Sequence, residues 1–287
     1  MNKTLKKIIG CTLAATCTLS IASCQKDETK LTGFDIELAE KTIAYLNEKY
    51  DTDIEVEFLL IEWSTKEAKL ADGTIDLVWN GMTISPEREA EMCVSVPYLY
   101  NKQVAVVLKD DASKFTTKES MANAIMTAEG GSAGESVIKS ESDTLNVGKE
   151  YVVATSQLDA LTKLDTGIAD VAIIDSVMAG YYTSTGDYAS KMQMVDGLIF
   201  AEESYGVAAK KGNNALMSKI NEALIGIRTT DYATLATKYG LTSSIALTEA
   251  TTDIYAGATD TSWTDLVASG EIVIGYTLFA PIAYEEA

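Results

Sequence analysis

From Phe34 onward the apolar residues recur first at helical spacing and then at strand spacing, and this alternation confines the chain to an α/β architecture. Phe34, Leu38, Thr42/Ile43 and Leu46 share one face of a helix over 34–50, and Ile54, Val56, Phe58 and Leu60 then alternate as a half-buried strand. Ser64 with Glu67 reads as a capping box for a short helix that Gly73 stops, followed by a strand over 75–79. Ser85-Pro86 supplies an N-cap and a proline at the first helical position, so a helix is expected from Glu87 to Met92. After an apolar strand over 104–108 the grammar repeats. A strand near 125–128 runs through a glycine-rich turn into a helix at Ser132, then come strand 151–154, helix 158–165, strand 171–174 and helix 177–182. A strand over 205–209 and amphipathic helices over 215–227 and 232–239 complete two α/β units.

Residues 242–261 are rich in Thr, Ser, Ala and Asp without periodicity, as expected of a linker. Beyond them Ser262 opens a short helix, Gly270 stops it, and Glu271-Ile272-Val273-Ile274-Gly275-Tyr276 forms a strongly apolar strand leading into Thr277-Leu278-Phe279-Ala280-Pro281. A buried strand placed so late makes sense if it enters a sheet begun at the other end. It is then expected beside strand 75–79 or strand 54–60, with Ile272 and Ile274 buried.

Composition removes several functions. The 287 residues include no histidine, which excludes Ser-His-Asp and Cys-His nucleophiles, a histidine base and any His-ligated metal; no metal and no cofactor is expected. A net charge of −19 leaves few cations to cluster against phosphates, so nucleic acid is not an expected partner.

The first 23 residues read as an export signal: Lys3, Lys6 and Lys7, an apolar stretch too short and polar to span a bilayer, then Ile21-Ala22-Ser23-Cys24. That tetrapeptide resembles a bacterial lipobox, which implies that Cys24 is lipidated, with palmitate among its acyl chains, and heads a tether over 24–30. An ordinary signal leaving Cys24 as a thiol is the alternative. Cys11 and Cys17 depart with the signal, leaving Cys93 as a free thiol with no disulfide partner.

Five segments carry a family resemblance: Leu31-Thr32-Gly33-Phe34-Asp35-Ile36-Glu37-Leu38-Ala39, Gly81-Met82-Thr83-Ile84-Ser85-Pro86-Glu87-Arg88, Gly131-Ser132-Ala133-Gly134-Glu135, Ala172-Ile173-Ile174-Asp175-Ser176 and Tyr205-Gly206-Val207-Ala208. In that order and spacing they resemble the polar-amino-acid group of bacterial extracellular solute-binding proteins, receptors of ABC importers. The resemblance implies a two-lobed periplasmic-binding-protein fold with two crossing hinge strands. One lobe would be formed by 31–107 and 207–241, the other by 108–206, with a linker over 242–261. In the family a strand like that of 271–276 comes first, so residues 262–287 look like the displaced first strand and binding loop of a circular permutant. The alternative is a fragment of a tandem copy. Joining Ala287 to Lys30 would restore the family order.

A free amino acid presents a carboxylate, an ammonium and a side chain, so its receptor needs a cationic fork, an anion with carbonyls, and an apolar or aromatic surface. Arg88 matches the family's carboxylate-binding arginine, with Thr83 adding a hydroxyl and an N–H; by composition alone it would be a solvated surface arginine. The loop Gly130 to Gly134 ahead of a helix offers backbone donors to an anion through Ser132 and Ala133, although Ala133 stands where relatives often carry a hydroxyl. Without a lysine the loop is a weaker phosphate site.

Asp175, at the end of an apolar strand, is the candidate ammonium partner, with helix capping as its competing role. The resemblance adds carbonyls near Asn80 and Gly81 to the ammonium site. Phe279 matches an aromatic that covers the ligand, core packing being the alternative. The family's acidic residue in that turn has no clear counterpart, which places basic ligands in doubt.

The expected partners are a free amino acid, the permease and ATPase of the importer, and the membrane through the lipid anchor, for a monomer held at the outer face of the cytoplasmic membrane or in the periplasm. The competing class is an enzyme of the same fold, such as a dehydratase acting on a small carboxylic acid, with Glu135 as a candidate acid. A channel or sensor domain would require a membrane-spanning segment after the signal, and none is visible.

Overall fold

The structure, a computed structural model, describes residues 30–145, 147 and 151–286. The export signal, Cys24 and Ala287 lie outside the described residues.

β1 (Lys30–Thr32) leads through Gly33 into α1 (Phe34–Tyr50), whose Phe34, Leu38, Ile43 and Leu46 are all buried as their spacing predicts. No side chain caps α1; its Phe34 and Asp35 N–H groups are instead accepted by Pro281 and Ile282 carbonyls at 2.9 Å. A Cβ at Gly33, whose φ is +130°, would sit 2.3 Å from the Ile282 oxygen, so only glycine allows this approach. β2 (Glu55–Leu60) and α2 (Lys66–Asp72) follow. The expected capping box does not form. Thr65 holds the N-cap position without a side-chain bond, and Glu67 pairs with Lys66 Nζ at 2.9 Å.

β3 (Leu77–Thr83) runs into α3 (Pro86–Glu91), where Ser85 caps the Arg88 N–H as Ser-Pro predicted. α3 ends one residue earlier than expected, because Met92 is extended and opens β4 (Met92–Val94). β5 (Leu99–Leu108), β6 (Met126–Glu129), α4 (Ala133–Ser140), β7 (Val152–Ala154), α5 (Gln157–Asp165), β8 (Val171–Asp175) and α6 (Ser176–Ser184) build the second unit. The remaining elements are β9 (Met192–Lys210), α7 (Asn214–Gly226), α8 (Asp231–Lys238), α9 (Ser262–Ser269), β10 (Glu271–Tyr276) and β11 (Tyr284–Glu286).

The main sheet is ordered β2-β10-β3-β9-β5-β8-β6-β7, with β4 also on β9. Its two ends are parallel: β10 with β2 and β3 on one side, β6 with β7 and β8 on the other. Between them β9 and β5 are antiparallel long strands. β9 pairs β5 from Met192 to Tyr205 and β3 from Tyr205 to Ala209, so it leaves one half of the sheet and enters the other.

β10 lies between β2 and β3, pairing Glu271–Tyr276 with Glu55–Leu60 and Ile274–Gly275 with Leu77–Val78. Ile272 and Ile274 are 0% exposed, and burial of each stabilises the fold by about 1.5–3 kcal/mol. β11 closes on β1 with Glu286 opposite Lys30.

The segment 242–261 has one short 3-10 turn, Thr242–Ser244, yet it is packed rather than loose. Ala246 and Leu247 are buried, Ile245 bridges to Leu99, Asn221 Nδ2 donates to Asp253 at 2.6 Å, and the Val94 N–H donates to Tyr255 at 3.1 Å. Cys93 is a buried free thiol whose Sγ meets Asn214 Oδ1 at 3.2 Å.

Candidate functional site

In an open parallel sheet, side chains at the carboxyl ends of the strands project into the crevice above them. Here both halves direct such ends into one pocket with about 350 Å³ of atom-free space. From the first half come Trp63 beyond β2, Asn80, Gly81 and Thr83 on β3, Arg88 on α3, and Thr277 and Phe279 beyond β10. The second half contributes Glu129 at the end of β6, Ser132 and Ala133 at the start of α4, Gln157 at the start of α5, and Asp175 at the end of β8. All eight residues singled out from the sequence thus line the same pocket.

Arg88 is not a solvated surface group. Its Nη1 donates to the Thr83 carbonyl at 2.7 Å and its Nη2 to the Gly131 carbonyl at 3.2 Å, linking the two halves. A guanidinium has five N–H donors, so donors remain for a carboxylate. The Thr83 hydroxyl is directed elsewhere, donating to Glu203 at 3.0 Å.

The glycine-rich loop differs from its expected role as an open anion cradle. Gly130 N donates to Ala154 O at 3.0 Å, Ser132 N to Glu129 O at 3.2 Å and Gly131 N to Glu135 Oε2 at 2.9 Å, which restricts its anion-binding capacity to the first turn of α4. Ser132 Oγ caps that helix by accepting from Glu135 N at 3.1 Å. Glu135 is bonded by Gly131 N–H, the Tyr151 hydroxyl and Lys139 Nζ. These partners overcome its burial and hold its carboxyl below the ordinary value, the wrong direction for a general acid.

Asp175 does not cap α6. Its Oδ1 accepts from Asn101 Nδ2 at 2.7 Å and from Gln103 Nε2, and its Oδ2 from Gln157 Nε2. Burial, followed by the nearby Glu203, pushes Asp175 well above the usual carboxylate range. An ammonium group is the kind of partner that lowers it again.

Asn80 Nδ2 donates to Thr277 Oγ1 at 2.8 Å, while Asn80 Oδ1 is buried without a hydrogen-bond partner. Gly81 has φ +61°, and a Cβ there would lie 2.8 Å from the Phe279 ring and 3.1 Å from Tyr205. That contact lets Phe279, itself buried, reach the pocket wall.

The sequence reading missed Trp63, Glu129, Gln157 and Thr277. Glu129 could have been found by the rule that found Asp175, since it ends an apolar strand just ahead of two glycines.

Behind the pocket Asp35 Oδ2 accepts from the Gly81 N–H at 2.8 Å and the Tyr98 hydroxyl at 2.6 Å, which fixes the β3 loop. Burial raises the Asp35 carboxyl from 3.8 to about 7, against the lowering effect of those two bonds. The unfolded chain therefore releases this proton first, so Asp35 contributes stability that is full below about pH 4 and is lost as pH rises through about 7. Asn at this position can still accept both bonds. In denaturant unfolding measured from pH 4 to 8, Asp35→Asn is expected to flatten the decline of the unfolding free energy by up to about 1.4 kcal/mol per pH unit between the two values. Parallel wild-type and variant profiles would contradict this ionisation.

Residues 18–242 match the family model for bacterial extracellular solute-binding proteins, family 3, and the chain belongs to that family. The match stops ahead of α9, β10 and β11. The L-cystine-binding protein TcyJ of Escherichia coli K12 is 28% identical over 206 residues, covering 70% of this chain and 71% of that protein. Among solved structures, an ABC uptake transporter substrate-binding protein from Streptococcus pneumoniae with bound histidine is 31% identical, with TM-score 0.64 over 72% of this chain and 82% of its own. AncCDT-1, an ancestral amino-acid-binding protein and precursor of cyclohexadienyl dehydratase, is 28% identical, with TM-score 0.62 over 72% and 85%. No helix among the described residues is long and apolar enough to cross a membrane.

Proposed function

We propose that this chain is the exported receptor of an ABC importer and captures one free amino acid between its two halves. The observation that carries this reading is the meeting in one pocket of Arg88 from the first half and Asp175 from the second, a cationic fork and a buried anion suited to an α-carboxylate and an α-ammonium. Asn80 and Gly81 support the ammonium side, Thr83, Ser132 and Ala133 the carboxylate side, and Phe279 covers the side chain. Because each half holds part of the site, ligand binding favours the closed arrangement, with β5 and β9 as the hinge between lobes spanning 31–107 with 207–287 and 108–206. Lipidation at Cys24 tethers the receptor beside the permease and ATPase, where it works as a monomer.

The reading also includes a circular permutation. β10 sits inside the first half's sheet, the chain around Pro281 and Ile282 caps α1, and β11 pairs with β1. A strand made after the linker thus occupies an interior position of the lobe that β2 and β3 begin.

Asp175→Asn is the test of the ammonium site. Calorimetry is expected to show a loss of at least about tenfold, or 1.4 kcal/mol, for the cognate amino acid and a much smaller one for its analogue lacking the α-amino group. Equal losses for both would make Asp175 structural.

A further inference from the structure

Glu129 is a buried carboxyl in the wall of the pocket that the α-carboxylate and α-ammonium groups do not need, and the buried Lys66 behind that wall is committed elsewhere. Lys66 is 1% exposed, and its three donors are engaged by Trp63 O at 3.2 Å, Gly131 O at 3.3 Å and Glu67 Oε1 at 2.9 Å. Its charge is therefore matched by Glu67. Glu129 is 4% exposed and lines the pocket, and its Oε1 has no hydrogen-bond partner. Asn80 Oδ1, from the opposite half, is a second unpartnered acceptor in the same wall.

A buried carboxyl oxygen left unpaired is costly because it has given up water without gaining a donor, so such a group marks where a donor is to be received. With Arg88 assigned to the ligand carboxylate and Asp175 to its ammonium, Glu129 is a carboxyl that neither α-group engages, and a cationic ligand side chain supplies both the donor its Oε1 lacks and the charge that favours its ionised form. Asn80 Oδ1 favours the same chemistry, because an ammonium or guanidinium carries several N–H groups. Phe279 and Trp63 provide aromatic surface for the aliphatic stem and for the cation itself.

We infer that Glu129 determines specificity by receiving a cationic side chain, so that the ligand is a basic amino acid. This rests on the amino-acid reading of the pocket and deepens it. It also replaces the acidic residue absent from the turn after β10: the anion comes from the opposite half, at the end of β6. Burial raises the Glu129 carboxyl from 4.5 to about 8, with Lys66 opposing, as expected of a carboxyl whose charged form lacks a full complement of donors.

Isosteric ligand pairs test the assignment on the wild-type chain. Arginine against citrulline, and lysine against 2-aminoheptanoic acid, remove the side-chain charge while leaving the α-groups unchanged. Calorimetry is expected to give at least one basic amino acid an affinity about tenfold or more above its neutral isostere. Glu129→Gln should erase that preference while retaining binding of the neutral partner. Equal affinities within both pairs, or an equal loss for charged and neutral ligands in Glu129→Gln, would overturn the assignment. So would tight binding of a neutral amino acid such as glutamine with none of the basic ones bound. If no amino acid binds at all, the amino-acid reading itself fails and this assignment with it. Should Glu129→Gln fail to fold, the wild-type isostere pairs still decide.

Discussion

A chain lacking residues 262–287 is expected to lose ligand binding and its single cooperative melting transition together. The deletion removes β10 from between β2 and β3, exposing their paired edges and leaving their hydrogen-bonding groups without partners inside the sheet. It takes away the Pro281 and Ile282 carbonyls that receive the first N–H groups of α1, together with Thr277 and Phe279 from the pocket wall. Calorimetric melting and ligand titration of the truncated chain check both effects. A truncated chain that melts cooperatively and binds normally would show that the C-terminal segment is a dispensable copy.

Arg88→Ala is expected to preserve the fold and weaken the cognate amino acid by about 2–5 kcal/mol, because it leaves a desolvated ligand carboxylate without its charged partner. The fold survives because Arg88 bonds only two carbonyls, Thr83 O and Gly131 O, and α3 buries none of its residues. Affinity within about threefold of wild type, a difference below about 1 kcal/mol, would remove Arg88 from the site. Arg88→Lys separates charge from geometry: an ammonium on a flexible stem keeps the charge but loses the fork, so most of the loss should remain.

Much of the architecture was legible because strong periodicity and local caps agree. α1 has the bounds its apolar face implies, and the Ser85-Pro86 signal fixed both the start of α3 and the direction of Arg88. The long strands were less legible. β9 was readable only over 205–209, since its earlier part is broken by Asp196-Gly197 and by Glu202-Glu203, with exposed and half-buried residues on both sides of the short apolar run 198–201. β5 begins at Leu99, five residues before the apolar run, because Tyr100 and Lys102 face solvent. The segment 242–261 packs through isolated contacts of Ile245, Ala246, Leu247, Asp253 and Tyr255, which leave no period in the sequence.

The pocket followed the same division. Motif positions such as Thr83, Arg88, Ser132 and Asp175 could be placed by strand ends and caps. Glu129 sits at a strand end like Asp175 and was within reach of the same rule, whereas Gln157 owes its position to α5 converging on β8, a tertiary fact that local spacing does not encode. The loop at Gly131 showed a different limit, since its N–H and carbonyl groups are engaged by Glu135, Lys66 and Arg88, long side chains whose destinations depend on the assembled halves.

Native mass spectrometry of the purified chain against the common amino acids, with the ligand recovered afterwards, tests capture most directly. The account predicts a 1:1 complex with an amino acid, released chemically unchanged on unfolding, and loss of that complex in Arg88→Ala. No complex with any amino acid, or recovery of the ligand in a chemically altered form, would contradict it.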